Sequence, residues 1–214
     1  MAMKILSALL ISACLISCEQ NKISNTADIR EDTGQDRLSN LGGDTLKNDR
    51  WHFNKYLNDN NTPQLAKDVF NNNWKLKDDE PLEFLAKLHG QEKEARPFYF
   101  RVVTNSYKQA DGAYAEGLGG AGYNYVKNHP GEFSSYFFGQ DGFTDEDLQT
   151  WADIVMLEFG ILSENEYQKP LMKNYIDCVR KNCKGCSKHQ TEVLDRLSRY
   201  LKERWSELLK HIDK

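Results

Sequence analysis

Apolar positions along the chain fall into three regimes. Ile5 to Ile16 is an almost unbroken apolar run behind a single charge, Lys4. From Glu19 to about Asn48 the chain is polar, with isolated Ile and Leu, a Gly42-Gly43 pair and no helical or strand period. From Trp51 onward apolar residues recur at three- and four-residue spacing, the signature of helices that bury one face. This divides the chain into a leader over 1–17, a flexible tether over 18–48 and a folded, all-helical part over 49–214.

Within the folded part, punctuation predicts the elements. Thr62-Pro63 predicts a cap followed by proline at the first helical position, ahead of Leu65, Val69 and Phe70. Asp79-Glu80-Pro81 repeats the device, and Leu82, Leu85 and Leu88 form a stripe stopping at Gly90. Pro97 opens a run over Phe98–Tyr107 with Phe100, Val103 and Tyr107 on one face. Its aromatic and β-branched content also suits a strand, but helical neighbours favour a helix. Ala113–Lys127, with Tyr114, Leu118 and Tyr125 near one face, predicts another helix, broken by Asn128-His129-Pro130-Gly131. A short aromatic helix follows over Glu132–Phe138.

Thr144 and Asp147 form a capping box opening a helix through Trp151, Val155 and Phe159 to Gly160. Ser163 and Glu166 form a second box for a helix reaching Asn182, with Pro170 as a kink or second start. Leu194, Leu197, Leu201, Trp205, Leu208 and Ile212 make the clearest stripe, opposite Arg196, Arg199, Lys202 and Glu203. The expected fold is all-α: seven or eight helices in an irregular bundle or a short stack of antiparallel helix pairs.

The leader is too short to span a bilayer and has the flanks of a secretory signal. Its end, Leu15-Ile16-Ser17-Cys18, resembles the lipobox of bacterial lipoprotein precursors. That resemblance implies lipid on the Cys18 thiol, cleavage before it and acylation of the new amino terminus, which together give stable anchoring. Ile11-Ser12-Ala13-Cys14 also fits the pattern but leaves a shorter apolar stretch. Glu19 after the cysteine, rather than Asp, points toward the outer membrane, facing the periplasm. A tether of about thirty residues spans roughly 30 Å.

Charge is uneven behind a formal net of −4. Residues 49–166 carry 11 Lys/Arg against 20 Asp/Glu, and residues 167–214 carry 12 against 6. Two faces that partly neutralise each other in the fold account for this, and an acidic surface that steers a basic protein partner is the functional alternative. The acidic middle disfavours nucleic acid as a partner.

Three constellations carry candidate chemistry. Gly117-Leu118-Gly119-Gly120-Ala121-Gly122 matches the dinucleotide fingerprint by letter but lacks the preceding strand. Close approach of a second helix explains it better, so no cofactor is expected. Cys178, Cys183, Cys186 and His189 have ligand types suited to zinc. In an exported protein, one disulfide across the turn between the last two helices is favoured, with Cys178–Cys186 first and Cys183–Cys186 as the alternative. Asp141 to Asp147 lacks the ligand order of a calcium loop and suits a helix first turn instead. No residue set reads as catalytic, and no metal is expected.

The stretch from Arg96-Pro97-Phe98-Tyr99-Phe100 through Asp111-Gly112-Ala113-Tyr114-Ala115-Glu116-Gly117-Leu118-Gly119 to Glu132-Phe133 is similar to uncharacterised helical lipoproteins of Bacteroidetes-type bacteria. The expectation is a membrane-anchored, non-enzymatic binding protein, one concrete form being a toxin-neutralising immunity protein. The alternatives are an enzyme with a site around residues 117–122 and a structural envelope protein.

Overall fold

Helix formation follows the apolar spacing through most of the chain. The computed structural model describes residues 51–75, 83–90, 92–138, 142–163 and 169–212, all within the unit Asp44–Lys214. The leader with Cys14 and Cys18, the tether, residues 79–82, Asp141 and Glu166 lie outside the described residues. The described residues form nine α-helices and no strand. They are α1 (Phe53–Asn58), α2 (Gln64–Phe70), α3 (Glu83–Lys87), α4 (Arg96–Ser106), α5 (Gly112–Asn128), α6 (Pro130–Ser135), α7 (Asp145–Ser163), α8 (Lys169–Asn182) and α9 (Lys188–Ile212). A single 3-10 turn, Tyr107–Gln109, extends α4. The protein is all-α, built of packed helix pairs.

The Phe98–Val103 run is helical, and burial explains its ambiguous sequence. Phe98, Tyr99, Phe100, Val102, Val103, Thr104 and Ser106 are all buried. A helix apolar all round carries no amphipathic stripe. Phe100 is the centre of the core: Trp151 of α7 stacks on it at 4.3 Å and 9°. Tyr136 and Phe143 meet the same ring at 4.5 and 4.6 Å. The Trp151 indole N–H donates to Thr104 Oγ1 at 2.8 Å, and that hydroxyl donates to the Phe100 carbonyl at 2.7 Å. The polar handle of the largest buried ring is thereby satisfied.

Helices α5 and α7 meet through bare backbone. An ideal Cβ on Gly119 would come within 2.8 Å of the Leu157 Cβ and 2.9 Å of the Glu158 amide nitrogen. A Cβ on Gly122 would fall on the Ile154 Cγ2 methyl. The glycine segment is therefore the interior of a helix whose small residues admit another helix, as its spacing suggests.

Helix α9 lays Leu194, Leu197, Leu201 and Trp205 into the core. Its polar flank meets the acids of α7. Arg196 reaches Asp145 at 2.9 Å, the Tyr200 hydroxyl donates to Asp145 at 2.7 Å, and Arg204 donates to Asp153 at 2.7 Å. Asp147 takes Arg101 of α4 at 2.7 Å. The charge asymmetry is in part neutralised inside the molecule.

Several boundaries depart from the sequence reading. Thr62 is buried and Pro63 itself is the N-cap of α2, with no side-chain cap. Helix α2 instead ends in a Schellman motif. The Asn73 amide donates to Asp68 O and the Asn72 amide to Val69 O, with Asn72 at φ 57°. Helix α6 starts at Pro130, two residues before the expected Glu132, because proline supplies the first-turn φ without needing its missing N–H. Helix α7 runs past Gly160 to Ser163; one helical glycine costs about 1 kcal/mol, less than a packed helix gains. The Thr144–Asp147 box forms as read: the Thr144 amide donates to Asp147 Oδ2 at 2.7 Å and the Asp147 amide to Thr144 Oγ1 at 3.2 Å.

Candidate functional site

The cysteine cluster resolves into a bonded pair and a core residue. Cys183 follows the last residue of α8, and Cys186 precedes Ser187, the cap of α9. The two are joined by a disulfide, at a sequence separation of 3. The expected Cys178–Cys186 pairing is corrected: Cys178 lies inside α8 and is 9% exposed, buried beside Tyr175 and Val179. A tight turn brings Cys183 and Cys186 together first, because Gly185 takes φ +78°, a left-handed conformation that side chains disfavour. The fourth member, His189, has its Nε2 3.4 Å from the Phe137 carbonyl and its ring edge-on to Phe138 at 4.7 Å. The ligand-like spacing of the sequence therefore serves a turn.

A second assembly of titratable groups sits where α4, α5 and α6 converge. The buried Arg96 guanidinium donates to the Gly90 carbonyl at 2.8 and 3.2 Å and to the Glu132 carboxylate. The Tyr136 hydroxyl donates to Glu132 Oε1 at 2.9 Å and accepts from the Tyr125 hydroxyl at 3.2 Å. Burial drives the Tyr125 and Tyr136 phenols well above their ordinary range. His129, half-buried, lies 5.4 Å from the Tyr125 ring and 6.2 Å from His89. Burial holds the His129 imidazole below its usual value, and the charges of Arg96, His89 and Lys93 reinforce this against Glu132. The arrangement favours the neutral form of His129, with Glu132 paired to Arg96. Its evident work is to tie the turn at Gly90 to α6.

The Gly-rich segment carries a third group on its α7 side. Glu158 is half-buried, and burial alone raises its carboxyl. Tyr123 and Tyr175 pack nearby with their rings tilted at 31° and 4.3 Å apart, and burial pushes Tyr123 up to about 12. No dinucleotide cradle forms, because the glycines lie in mid-helix against Ile154 and Leu157.

An open groove of about 620 Å³ runs along α8 and α9. Its wall carries Arg180, Asp195, Arg199, Lys202, Glu203 and Lys210. Arg180 and Asp195 meet across it at 2.9 Å. Among the described residues, no three His, Cys, Asp or Glu side chains converge as a metal site. None of the described helices is long and apolar enough to cross a membrane. No family model, curated protein or solved structure matches the chain.

Sequence reasoning found the cysteines and the glycine face but missed the Arg96–Glu132–Tyr136–Tyr125 chain. Glu132 and Tyr136 are one helical turn apart, but Arg96 and Tyr125 stand 36 and 11 residues from their partners, and no local period links those. The groove was legible only as the polar side of α9; that Arg180 closes one edge is a tertiary fact.

Proposed function

We propose that the protein is a lipid-anchored binding protein of the bacterial envelope that uses the α8–α9 groove to hold a partner protein. The anchor rests on Leu15-Ile16-Ser17-Cys18 and the polar tether behind it, which keep the folded part near the outer membrane on its periplasmic side. One observation carries the binding role. The groove is open and walled by charged side chains from an ordered 25-residue helix. Small-molecule sites are mostly apolar and bury most of the ligand, whereas complementary charges between proteins supply specificity and speed of association. The partner is a basic protein whose cations meet Glu203 and Glu207 and whose docking segment offers acids to Arg199, Lys202 and Lys210. Neutralising a secreted toxin is the concrete form of this role.

The test pairs location with docking. Mass spectrometry of the native protein is expected to find an acylated Cys18 at the mature amino terminus. Affinity capture of the solubilised protein is expected to recover a basic partner, and Glu203→Lys with Glu207→Lys to lose it. An unmodified, soluble native protein would overturn the anchor. Capture insensitive to charge reversal would overturn the groove.

A further inference from the structure

We infer that the Cys183–Cys186 disulfide is a thiol-exchange site, accepting electrons from a dithiol of another protein. The C-x-x-C spacing closes a loop with a sequence separation of 3. A crosslink stabilises less the shorter the loop it closes, with the logarithm of loop length, and this one closes nearly the smallest. The turn is held by other means. The Cys186 amide donates to the Cys183 carbonyl at 3.3 Å. The Ser187 amide donates to Gln190 Oε1 at 2.8 Å, and the Gln190 amide to Ser187 Oγ at 3.2 Å, forming a reciprocal cap. Gln190 Nε2 donates to Gly131 O at 2.7 Å, and Asn182 Nδ2 to Lys127 O at 2.8 Å. Met172, Tyr175, Ile176 and Val179 on α8, and Val193, Leu194 and Leu197 on α9, are buried in one core. The helices stay together without the covalent bond, so it can open in the native state.

Access and chemistry agree with this. Cys183 and Cys186 are both partly exposed, and the residues between them, Lys184 and Gly185, are exposed. Cys186 stands at the mouth of α9, whose N-terminal end favours an anion, and Lys184 and Lys188 flank it in sequence. A thiolate there is the better leaving group.

A partner thiolate attacks Cys183 Sγ, forming a mixed disulfide. The Cys183–Cys186 bond breaks, and its electron pair stays on Cys186 Sγ as a thiolate. The partner's second thiolate attacks the partner sulfur of the mixed disulfide and releases Cys183. The partner dithiol ends oxidised to a disulfide by two electrons, this disulfide ends reduced to two thiols, and the two partner protons balance the new thiols. The inference is independent of the groove and of the lipid anchor.

The test measures reduction of the folded protein by glutathione and dithiothreitol, read by alkylation and mass spectrometry across urea concentrations below unfolding. The expected rate is flat with urea, because exchange occurs from the native state. The reduced protein is expected to keep its far-UV circular dichroism and to lose no more than about 5 °C in melting temperature. Cys186→Ser, treated with oxidised glutathione, is expected to form a mixed disulfide on Cys183, the second glutathione leaving as its thiolate. A Cys183→Ser/Cys186→Ser variant that melts like the reduced protein keeps the result separate from misfolding. Reduction that accelerates with urea in step with unfolding, or a large melting loss on opening, would make the bond a structural staple and overturn the inference.

Discussion

The Ile154 Cγ2 methyl occupies the space that a Cβ on Gly122 would take, so α5 and α7 are fitted to each other through an absent side chain. Gly122→Ala is expected to destabilise by about 1–3 kcal/mol, the usual cost of overpacking. That outweighs the gain of about 1 kcal/mol from helix propensity. Gly120→Ala meets only Glu158 Oε2 at 3.5 Å and is expected to be neutral or stabilising by up to about 1 kcal/mol. Urea denaturation of both variants decides it: two stabilised proteins would mean that the close approach is not real.

Arg96 is the cation on which the α4–α6 junction depends. Arg96→Met leaves the partly exposed Glu132 carboxylate with the Tyr136 hydroxyl and takes the guanidinium from the Gly90 carbonyl, and the expected loss is at the low end for a broken buried pair, about 3 kcal/mol. Adding Glu132→Leu is expected to recover much of it, since an apolar pair avoids the desolvation of both charges. A double-mutant cycle measures the coupling. Additive losses would show that the two groups do not act as a pair.

Thr104 satisfies the Trp151 indole. Thr104→Val keeps the shape and leaves that N–H buried without an acceptor, for an expected loss of about 1–3 kcal/mol. Thr104→Ser keeps the acceptor and is expected to cost less than Val. Equal losses from both would mean that the methyl group, not the hydrogen bond, is what counts.

Two carboxylates act on stability in opposite pH directions. Burial raises Glu158 above its unfolded value. Its contribution is therefore fully present below the unfolded pKa and is lost as pH rises through the folded one. Glu158→Gln is expected to melt higher than the parent at neutral pH, and the advantage is expected to disappear in acid. The Tyr200 hydrogen bond, helped by Gln149 and Arg196, lowers Asp145 against the effect of burial. Its contribution is present above the unfolded pKa and is lost as pH falls through the lowered one. Asp145→Asn is expected to cost at most about 1 kcal/mol at neutral pH, because the pair is solvent-screened, and nothing in strong acid. Melting curves between about pH 3 and pH 8 test both signs, and the reverse order of either would refute its assignment.

The legible parts of this protein were those whose physics is local. The stripe from Leu194 to Trp205 announced α9, and the Thr144–Asp147 box announced the start of α7. Tyr114, Leu118 and Tyr125 marked the inner face of α5, and all three are buried. The cysteines were visible, but their pairing was misread. The left-handed Gly185 makes a tight turn that joins Cys183 to Cys186 and leaves Cys178 in the core. Thr62 likewise had the right type for a cap and was buried instead.

Helical spacing, capping chemistry and the placing of small residues belong to the sequence alone, because each is settled within a turn or two of chain. Only the tertiary structure decided that α4 is buried on nearly every side around Phe100, that Arg96 and Glu132 meet, and that α9 supplies the cations for Asp145 and Asp153. The partners in these pairs stand 36 to 51 residues apart. Such contacts form only when whole helices pack, and no local pattern encodes which faces will touch.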